Sequence, residues 1–189
     1  MALPLSLLTI LVVFSCGPSG ALGCVLPQKH ILLSKENLAL LRQMQRISTL
    51  SCLNDTKDFR FPRRMVNGSQ VQEAQAISLL HRMLQDVSDL LLTEHASAAW
   101  NTTLLNQLRM GLYQQLEDLE PCLLQEMGEG GTALPSQRPT LDVRRYFEYL
   151  FRYLEKKQYS DCAWEVVRVE IMRSFSSIIT LQERLSNMD

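Results

Sequence analysis

Residues 162–185 read CAWEVVRVEIMRSFSSIITLQERL, and their apolar positions repeat with the period of an α-helix. At 100° per residue, one stripe collects Trp164, Val167, Ile171, Phe175, Ile178, Leu181 and Leu185. A stripe of this kind is typical of an amphipathic helix that buries one face. We name this predicted helix E and expect the rest of the chain to be organised around it.

The opposite face of helix E mixes charged and apolar side chains. Its members are Glu165, Arg168, Val169, Met172, Arg173 and Ser176. Scattered apolar residues are common on protein surfaces and need no special explanation. A partner-binding face, with long arginine side chains flanking an apolar contact, explains the same pattern. The pattern alone does not decide between these two interpretations.

Four more segments have helical periodicity: helix A over about 34–47, B over about 73–92, C over about 101–120 and D over about 141–157. Ser34 is the predicted N-cap of helix A. Helix B has the widest apolar sector, so we expect it to be the most buried. No segment alternates with period two, so the fold is predicted to be all-α.

The connections between these helices are of three kinds. Residues 48–72 form a long irregular segment, and Cys52 is expected to hold one end of it against the body as an ordered crossover. Pro121 and Cys122 are predicted to end helix C, and the Gly- and Pro-containing run 128–139 reads as a linker loop. A short turn at 158–160 makes helices D and E antiparallel neighbours. Bundles with long crossovers, as in growth hormone and cytokines, fit this organisation.

The first 23 residues differ from everything that follows. They contain no charged side chain, run apolar from Leu5 to Phe14, and end in the small residues around Ala21 and Gly23. This pattern predicts a secretory signal peptide, cleaved before Cys24, and a single secreted helical domain over 24–189. No later apolar run is long enough to insert into a membrane. The net charge of −1 gives no electrostatic reason to expect a nucleic-acid partner.

The expected extracellular location allows the cysteines to form disulfides and the Asn-x-Ser/Thr sequons to carry glycans. Four cysteines remain after cleavage: Cys24, Cys52, Cys122 and Cys162. An even count in an exported chain predicts two disulfides, and the sequence alone allows three pairings. Three Asn-x-Ser/Thr sequons make Asn54, Asn67 and Asn101 candidate glycosylation sites.

Residue patterns for catalysis are missing from the sequence. The three histidines are scattered, no HExxH or GxSxG motif occurs, and the glycines at 128–131 lack the Lys-Ser/Thr ending of a P-loop. We therefore expect no enzyme, no metal and no cofactor. A secreted carrier of small ligands is disfavoured because the compact apolar stripes predict a filled core. The remaining class of function is the binding of a partner by the protein surface, and the outer face of helix E is the best candidate for that surface.

The runs CAWEVVR at 162–168 and EIMRSF at 170–175 resemble the type I interferons. Supporting similarities are spread over the chain: C-x-L-P-Q at 24–28, SCL at 51–53, DF at 58–59, SAAWN at 97–101, YQQL at 113–116 and RYF at 145–147. The runs around 63–70 and at 159–162 are more similar to the omega than to the alpha subtypes.

This resemblance implies a fold and a function. The fold is a five-helix up-up-down-down cytokine bundle with a long A–B crossover loop and the disulfides Cys24–Cys122 and Cys52–Cys162. The function is that of a secreted, monomeric cytokine that brings together both chains of the type I interferon receptor. Kinases on the receptor tails then signal an antiviral and antiproliferative state. The alternative is another secreted helical cytokine or hormone with different receptors.

The resemblance also implies which residues contact the receptor. The high-affinity chain is expected on helix A, the following loop and helix E, at Leu38, Leu53, Asp55, Thr56, Arg168, Val169, Met172, Arg173 and Ser176. The low-affinity chain is expected on the opposite side, at Leu104, Tyr113, Arg144 and Arg145.

One position departs from the interferon pattern. After Cys-Leu the family usually has x-Asp-Arg, and that arginine is a main contact for the high-affinity chain. This chain has Asp55 followed by Thr56, and the threonine also completes the sequon at Asn54. We therefore expect weaker binding to the high-affinity chain than an arginine-bearing relative shows. Among the sequons, Asn101 is the one most expected to carry a glycan, because omega- and beta-like members have sequons near it.

Overall fold

The computed structural model describes residues 28–66, 72–129 and 138–187. Within these ranges the chain forms α-helices and one 3-10 helix, and no β-strand, which confirms the all-α prediction. The elements are α1 (Gln28–Gln43), the 3-10 helix (Thr49–Asp55), α2 (Arg63–Val66), α3 (Glu73–Leu91), α4 (Glu94–Ala99), α5 (Thr102–Glu129), α6 (Arg138–Lys156) and α7 (Asp161–Leu185). Helices A to E correspond to α1, α3, α5, α6 and α7. The signal peptide, Cys24 and Asn67 lie outside the described residues.

Helix α3 contacts α5, α6 and α7, and helix α7 contacts α1, α3, α6 and the two short helices of the crossover. The completely buried apolar side chains of α3 are Ile77, Leu79, Leu80, Met83, Leu84, Val87, Leu90 and Leu91. Full burial of one such side chain stabilises the fold by about 1.5–3 kcal/mol. The wide apolar sector is thus buried. The prediction that this is the most buried helix is not confirmed, because 11 of its 19 residues are buried against 15 of 25 in α7.

Helix α7 buries the whole predicted stripe, because every member from Trp164 to Leu185 is at most 4% exposed. The prediction that Glu165 and Arg168 face away from the core is wrong, since each is 3% exposed. The reason is that α1 and the 3-10 helix both contact α7 and cover its flank. Helical periodicity alone finds the main buried side of a helix and does not show a second one.

Helix α1 begins six residues before the predicted start, at Gln28. The assignment of Ser34 as its N-cap is wrong, because Ser34 lies inside the helix and is completely buried. The buried stripe of α1 runs through His30, Ser34 and Asn37 to Leu41. Three of these four side chains are polar, so an apolar pattern could not reveal this face.

Two predicted helix ends are also wrong. Helix α5 passes through Pro121 and reaches Glu129, so the first residues of the predicted linker are helical. It continues because Cys122 and Leu123 still pack against the core one turn beyond Leu119, so tertiary contacts outweigh the cost of the proline. Pro139 is the second residue of α6, in the first turn, where a proline is tolerated.

The crossover is more regular than predicted, because it contains the 3-10 helix and α2. The predicted bridge between Cys52 and Cys162 is present, with their Cα atoms 5.2 Å apart. Cys122 is also disulfide-bonded. Over the described ranges, no helix has the length and apolar character required to cross a membrane.

Candidate functional site

Five of the residues predicted to bind the high-affinity receptor chain line one groove. Leu38 of α1 faces Val169, Met172, Arg173 and Ser176 of α7 across a cavity of about 420 Å³. The arginine keeps 34% of its side chain exposed, Ser176 is exposed, and the three apolar residues are half-buried. We name this surface, together with Leu53 and Thr56, the α1–α7 face.

A smaller recess of about 150 Å³ adjoins this groove on the side of the crossover. Thr56 and Lys57 line it together with Val169 and Arg173, which also line the larger groove. The structure therefore brings the divergent position 56 directly beside the helix α7 residues. Leu53, one turn earlier, is 61% exposed.

The position of Thr56 is fixed by its own local bonds. Its backbone N–H donates to the Leu53 carbonyl at 3.3 Å, and its hydroxyl donates to the same oxygen at 2.6 Å. These bonds close the end of the 3-10 helix, where Thr56 is the C-cap. The threonine side chain is thus used for local structure, although the residue is exposed.

Asp55 is held against α6. Its carboxylate accepts a hydrogen bond from Lys157 Nζ at 2.7 Å, and its backbone carbonyl accepts one from the Tyr153 hydroxyl at 2.8 Å. Burial, helped by the nearby Asp55 carboxylate, raises the pKa of Tyr153 to about 12, so the hydroxyl remains a donor at neutral pH. The predicted contact residue Asp55 therefore anchors the crossover, with 27% of its side chain exposed.

The guanidinium of Arg173 is oriented by a buried network. Arg173 Nη1 lies 2.8 Å from Glu170 Oε1, and the Tyr146 hydroxyl of α6 donates to Glu170 Oε2 at 2.5 Å. Glu170 and Tyr146 are each only 4% exposed. Burial and the adjacent Glu170 carboxylate raise the pKa of Tyr146, which keeps it protonated as a donor. Sequence reasoning missed both partners, although the i, i+3 spacing of Glu170 and Arg173 was a usable signal.

Arg168 lies beneath the α1–α7 face and not on it. Its Nη2 and Nε donate to the two carboxylate oxygens of Glu165 at 2.6 and 2.8 Å. Its Nη1 donates to the Leu41 carbonyl of α1 at 2.8 Å. The side chain is 4% exposed and lines neither groove. In this structure Arg168 ties α7 to α1 and supports the face from behind.

Further residues complete the larger groove and were missed by the sequence reasoning. They are Arg42, Arg63, Ser177 and Thr180. Arg42 follows Leu38 by four residues and Thr180 follows Ser176 by four, so helical spacing could have found both. Nothing in the local sequence indicated that Arg63 of α2 reaches this groove.

The residues predicted for the low-affinity chain do not converge in the same way. Leu104 and Tyr113 are nine residues apart on α5, which places them on opposite sides of the helix. Leu104 packs against the core, whereas Tyr113 is 62% exposed and donates to Glu117. We name the outer surface carrying Tyr113, Arg144 and Arg145 the α5–α6 face.

Among the described residues, the side-chain hydrogen bonds of Arg144 and Arg145 go to their own helix. Arg144 Nε donates to Glu148 at 3.1 Å, and Arg145 Nη1 donates to Asp142 at 3.3 Å. Helix α3 contacts both α5 and α6, so it lies between the two parts of this face.

Two sequons are visible, and both asparagines are exposed. Asn101 precedes α5, and its Oδ1 accepts hydrogen bonds from the backbone N–H groups of Thr103 at 3.0 Å and Leu104 at 3.2 Å. This cap does not use Nδ2, the atom that carries an N-linked glycan. Within the described ranges, His, Cys, Asp and Glu side chains form no cluster of three or more that could hold a metal ion.

Comparisons with known proteins agree with this architecture. The family model for the interferon alpha/beta domain matches residues 26–185. Interferon omega-2 of Equus caballus is 61% identical over 189 residues, which cover 100% of this chain and 97% of the relative. Interferon omega-1 of Homo sapiens is 56% identical with the same coverage.

A solved structure extends the agreement to the fold. Zebrafish interferon 2 superposes with a TM-score of 0.68 at 25% identity, over 82% of this chain and 99% of that one. A match to the family model over most of the chain, with relatives above half identity, shows the family. The chain belongs to the type I interferon family, in its omega-like branch, and is therefore a cytokine and not an enzyme.

Proposed function

We propose that this interferon is secreted as a monomer and brings together the two chains of the type I interferon receptor. The α1–α7 face binds the high-affinity chain, and the α5–α6 face binds the low-affinity chain. Kinases bound to the receptor tails then start transcription that produces an antiviral and antiproliferative state.

The observation that carries this proposal is the convergence of five predicted contact residues on one groove of α1 and α7. Half-buried Leu38, Val169 and Met172 give the groove an apolar centre, and arginines stand at its border. Protein interfaces typically have such an apolar centre with a polar rim, and arginine is enriched among their strongest contacts. Helical periodicity already groups four of the five on one face of α7. The support that the structure adds is that Leu38 of α1 meets these four residues across the groove.

The buried supports behind the groove strengthen the proposal. Glu170 orients Arg173 and Arg168 fixes α7 to α1, so the contact side chains are held before a partner arrives. The bridge at Cys52 and Cys162 fixes the crossover beside α7 in the same way. Preorganisation of this kind raises affinity because less conformational freedom is lost on binding.

Secretion and glycosylation belong to the same proposal. The charge-free N-terminal segment is a signal peptide over 1–23, and the mature chain is 24–189 with a second disulfide between Cys24 and Cys122. An exposed Asn101, whose capping oxygen leaves the amide nitrogen available, is the preferred site for an N-linked glycan.

A reporter assay tests the proposal. Purified mature protein is added to cells that carry an interferon-stimulated response element driving luciferase. Matched lines lack either one receptor chain or the other. We expect strong induction in the parental cells and none in either deficient line. Induction that persists without one receptor chain would contradict the proposal, and so would silence in parental cells of the same species.

A further inference from the structure

A basic stripe runs along one side of α6. Arg138, Arg145, Arg152 and Lys156 follow one another at spacings of seven, seven and four residues, which places them on one side of an α-helix. All four are exposed. With a rise of 1.5 Å per residue, the stripe is about 27 Å long.

The crossover runs beside this stripe in the opposite chain direction. Phe59 meets Tyr153 edge to face, and Phe61 meets Tyr146 in the same way, each with ring centroids 5.1 Å apart. Advancing by two residues along the crossover therefore moves seven residues back along α6. These ring contacts fix the segment in one register against the helix.

The crossover carries further cations, and Lys57, Arg60 and Arg63 among them are exposed. Arg60, Arg63 and Arg145 line a groove of about 610 Å³ between the crossover and α6. Its floor is apolar, since Phe59, Phe61 and Tyr146 are at most 9% exposed. We name this groove, with the α6 stripe and these three crossover cations, the basic groove.

Few carboxylates compensate these charges. Asp142 pairs with Arg145 at 3.3 Å, and Asp58 accepts from the backbone N–H of Arg60 at 2.9 Å. Over the described ranges, no ion pair occupies Arg60, Arg63 or Arg152, yet the net charge of the whole chain is −1. Arg60, Arg63 and Arg145 thus line the groove with Asp142 as the one lining carboxylate among the described residues, and Glu148 and Glu155 are exposed elsewhere on α6.

Arg60 has a strained backbone, as do Gln158 and Tyr159 in the turn between α6 and α7. The backbone φ of Arg60 is 55°, in the left-handed region, which costs free energy for any residue except glycine. An arginine at this position therefore makes the folding free energy less favourable than a glycine would. Arg60 nevertheless lines the groove, and strained residues are often found at binding sites.

We propose that the basic groove binds a sulfated polysaccharide chain. A linear polyanion matches a long row of exposed cations, and release of its counterions favours binding. Single-stranded nucleic acid would need a row of exposed rings on which its bases stack. Only Tyr149 is exposed here, at 54%, and Lys57 Nζ already lies 5.2 Å from its ring centroid. The basic groove shares Arg145 with the α5–α6 face and Arg63 with the groove of the α1–α7 face. The variants below therefore change Arg60, Arg152 and Lys156, which are not proposed receptor contacts.

The test measures binding of the mature protein to an immobilised heparin dodecasaccharide between 50 and 300 mM NaCl. The double variant Arg152→Gln/Lys156→Gln should bind about fivefold more weakly or worse, and its log–log salt slope should fall by about two. The matched control Lys29→Gln/Lys35→Gln removes the same charge from exposed side chains of α1, which are 54% and 57% exposed. It should stay within about twofold of wild type.

A third variant separates binding from folding. Arg60→Gly should weaken heparin binding about threefold while its thermal unfolding midpoint stays equal or rises, since glycine accepts the left-handed backbone. Equal losses in the two double variants would overturn the proposal, because they would show unspecific attraction. It would also be overturned if desulfated heparin, or a single-stranded DNA of the same charge, bound as tightly as heparin.

Discussion

The α1–α7 face and the α5–α6 face are both proposed receptor surfaces, yet they are built in opposite ways. On the first, three chain segments are joined by a disulfide and by buried polar contacts between helices. On the second, the side-chain hydrogen bonds of Tyr113, Arg144 and Arg145 within the described part of the chain go to residues three or four positions away on their own helix. The first face is preorganised by the tertiary structure, whereas the second consists of independent side chains.

This difference predicts which substitutions will change the stability of the protein and which will change only its binding. Exposed pairs within one helix contribute only tenths of a kcal/mol, because water screens them. Buried pairs cannot lose one member without leaving the other unsatisfied in a poorly polar environment. We therefore expect substitutions behind the α1–α7 face to alter both stability and binding, and those on the α5–α6 face to alter binding alone.

The largest effect is expected for Arg168→Ala. It leaves the Glu165 carboxylate, which is 3% exposed, without its cationic partner and frees the Leu41 carbonyl. The free energy of unfolding should fall by about 3–5 kcal/mol in urea titrations. Arg144→Ala, the matched control on the α5–α6 face, should cost at most about 0.5 kcal/mol.

A double variant tests whether the stability loss comes from the unpaired Glu165 carboxylate. Glu165→Leu/Arg168→Met replaces the buried pair by apolar side chains, and it should recover most of the stability lost in Arg168→Ala. If Arg168→Ala and Arg144→Ala cost the same, the two faces would not differ in the way described.

Removal of the bridge by Cys52→Ala/Cys162→Ala comes next. The two cysteines are 110 residues apart in sequence, so the free energy of unfolding should fall by about 2–5 kcal/mol. Because the bridge holds the crossover beside α7, affinity for the high-affinity chain should fall roughly tenfold. Affinity for the low-affinity chain, measured on the same preparation at low temperature, should change much less. Equal losses for both chains would show that the bridge acts only on global stability.

The two faces also differ in how much of them the sequence could predict. The apolar stripes of α3, α6 and α7 were evident from their period, and so was the expected bundle. The polar stripe of α1 was not, since His30, Ser34 and Asn37 are buried by hydrogen bonds that join distant segments. Asn37 Nδ2 donates to Gln115 at 2.9 Å and Gln115 donates to Ser34 Oγ at 2.7 Å, over separations that no local pattern encodes.

The same limit applies to individual site residues. Val169 and Met172 were recognised because they are apolar among charges on an outward face. Periodicity predicts Arg168 on that face, but its guanidinium is buried, where it pairs with Glu165 and donates to the Leu41 carbonyl of α1. Pro121 predicts a helix end because local rules do not include the core contacts that carry α5 beyond it.

A gain of binding is expected for Thr56→Arg. The new arginine would enter the recess that Val169 and Glu170 also line. A charged contact of this kind contributes about 2 kcal/mol to binding, which is tens of fold in affinity. Asn54→Gln is the control, because it removes the same sequon and leaves position 56 unchanged. Unaltered or weaker binding of Thr56→Arg to the high-affinity chain in surface plasmon resonance would contradict the expectation.

The smallest effect concerns pH. His30 is completely buried beneath α7, its Nδ1 lies 3.1 Å from Gln182 Nε2, and burial lowers its pKa although Asp118 opposes the shift. Burial also lowers the pKa of His81. Below about pH 6.5 the unfolded chain therefore binds more protons than the folded one, and stability falls as the pH is lowered.

Urea midpoints at pH 7.5, 6.5 and 5.5 measure this effect. His30→Gln should reduce the slope of stability against pH and leave the part due to His81. An unchanged slope would show that His30 is not kept neutral by the structure.

The central claim is that the α1–α7 face binds the high-affinity receptor chain and that the α5–α6 face does not. Surface plasmon resonance with the two separate receptor ectodomains tests it through Met172→Ala and Tyr113→Ala. We expect Met172→Ala to weaken binding to the high-affinity chain tenfold or more, by about 1.4 kcal/mol or above, and to leave the low-affinity chain unaffected. Tyr113→Ala should do the reverse. Wild-type affinity of Met172→Ala for the high-affinity chain, together with a loss in Tyr113→Ala, would contradict the account.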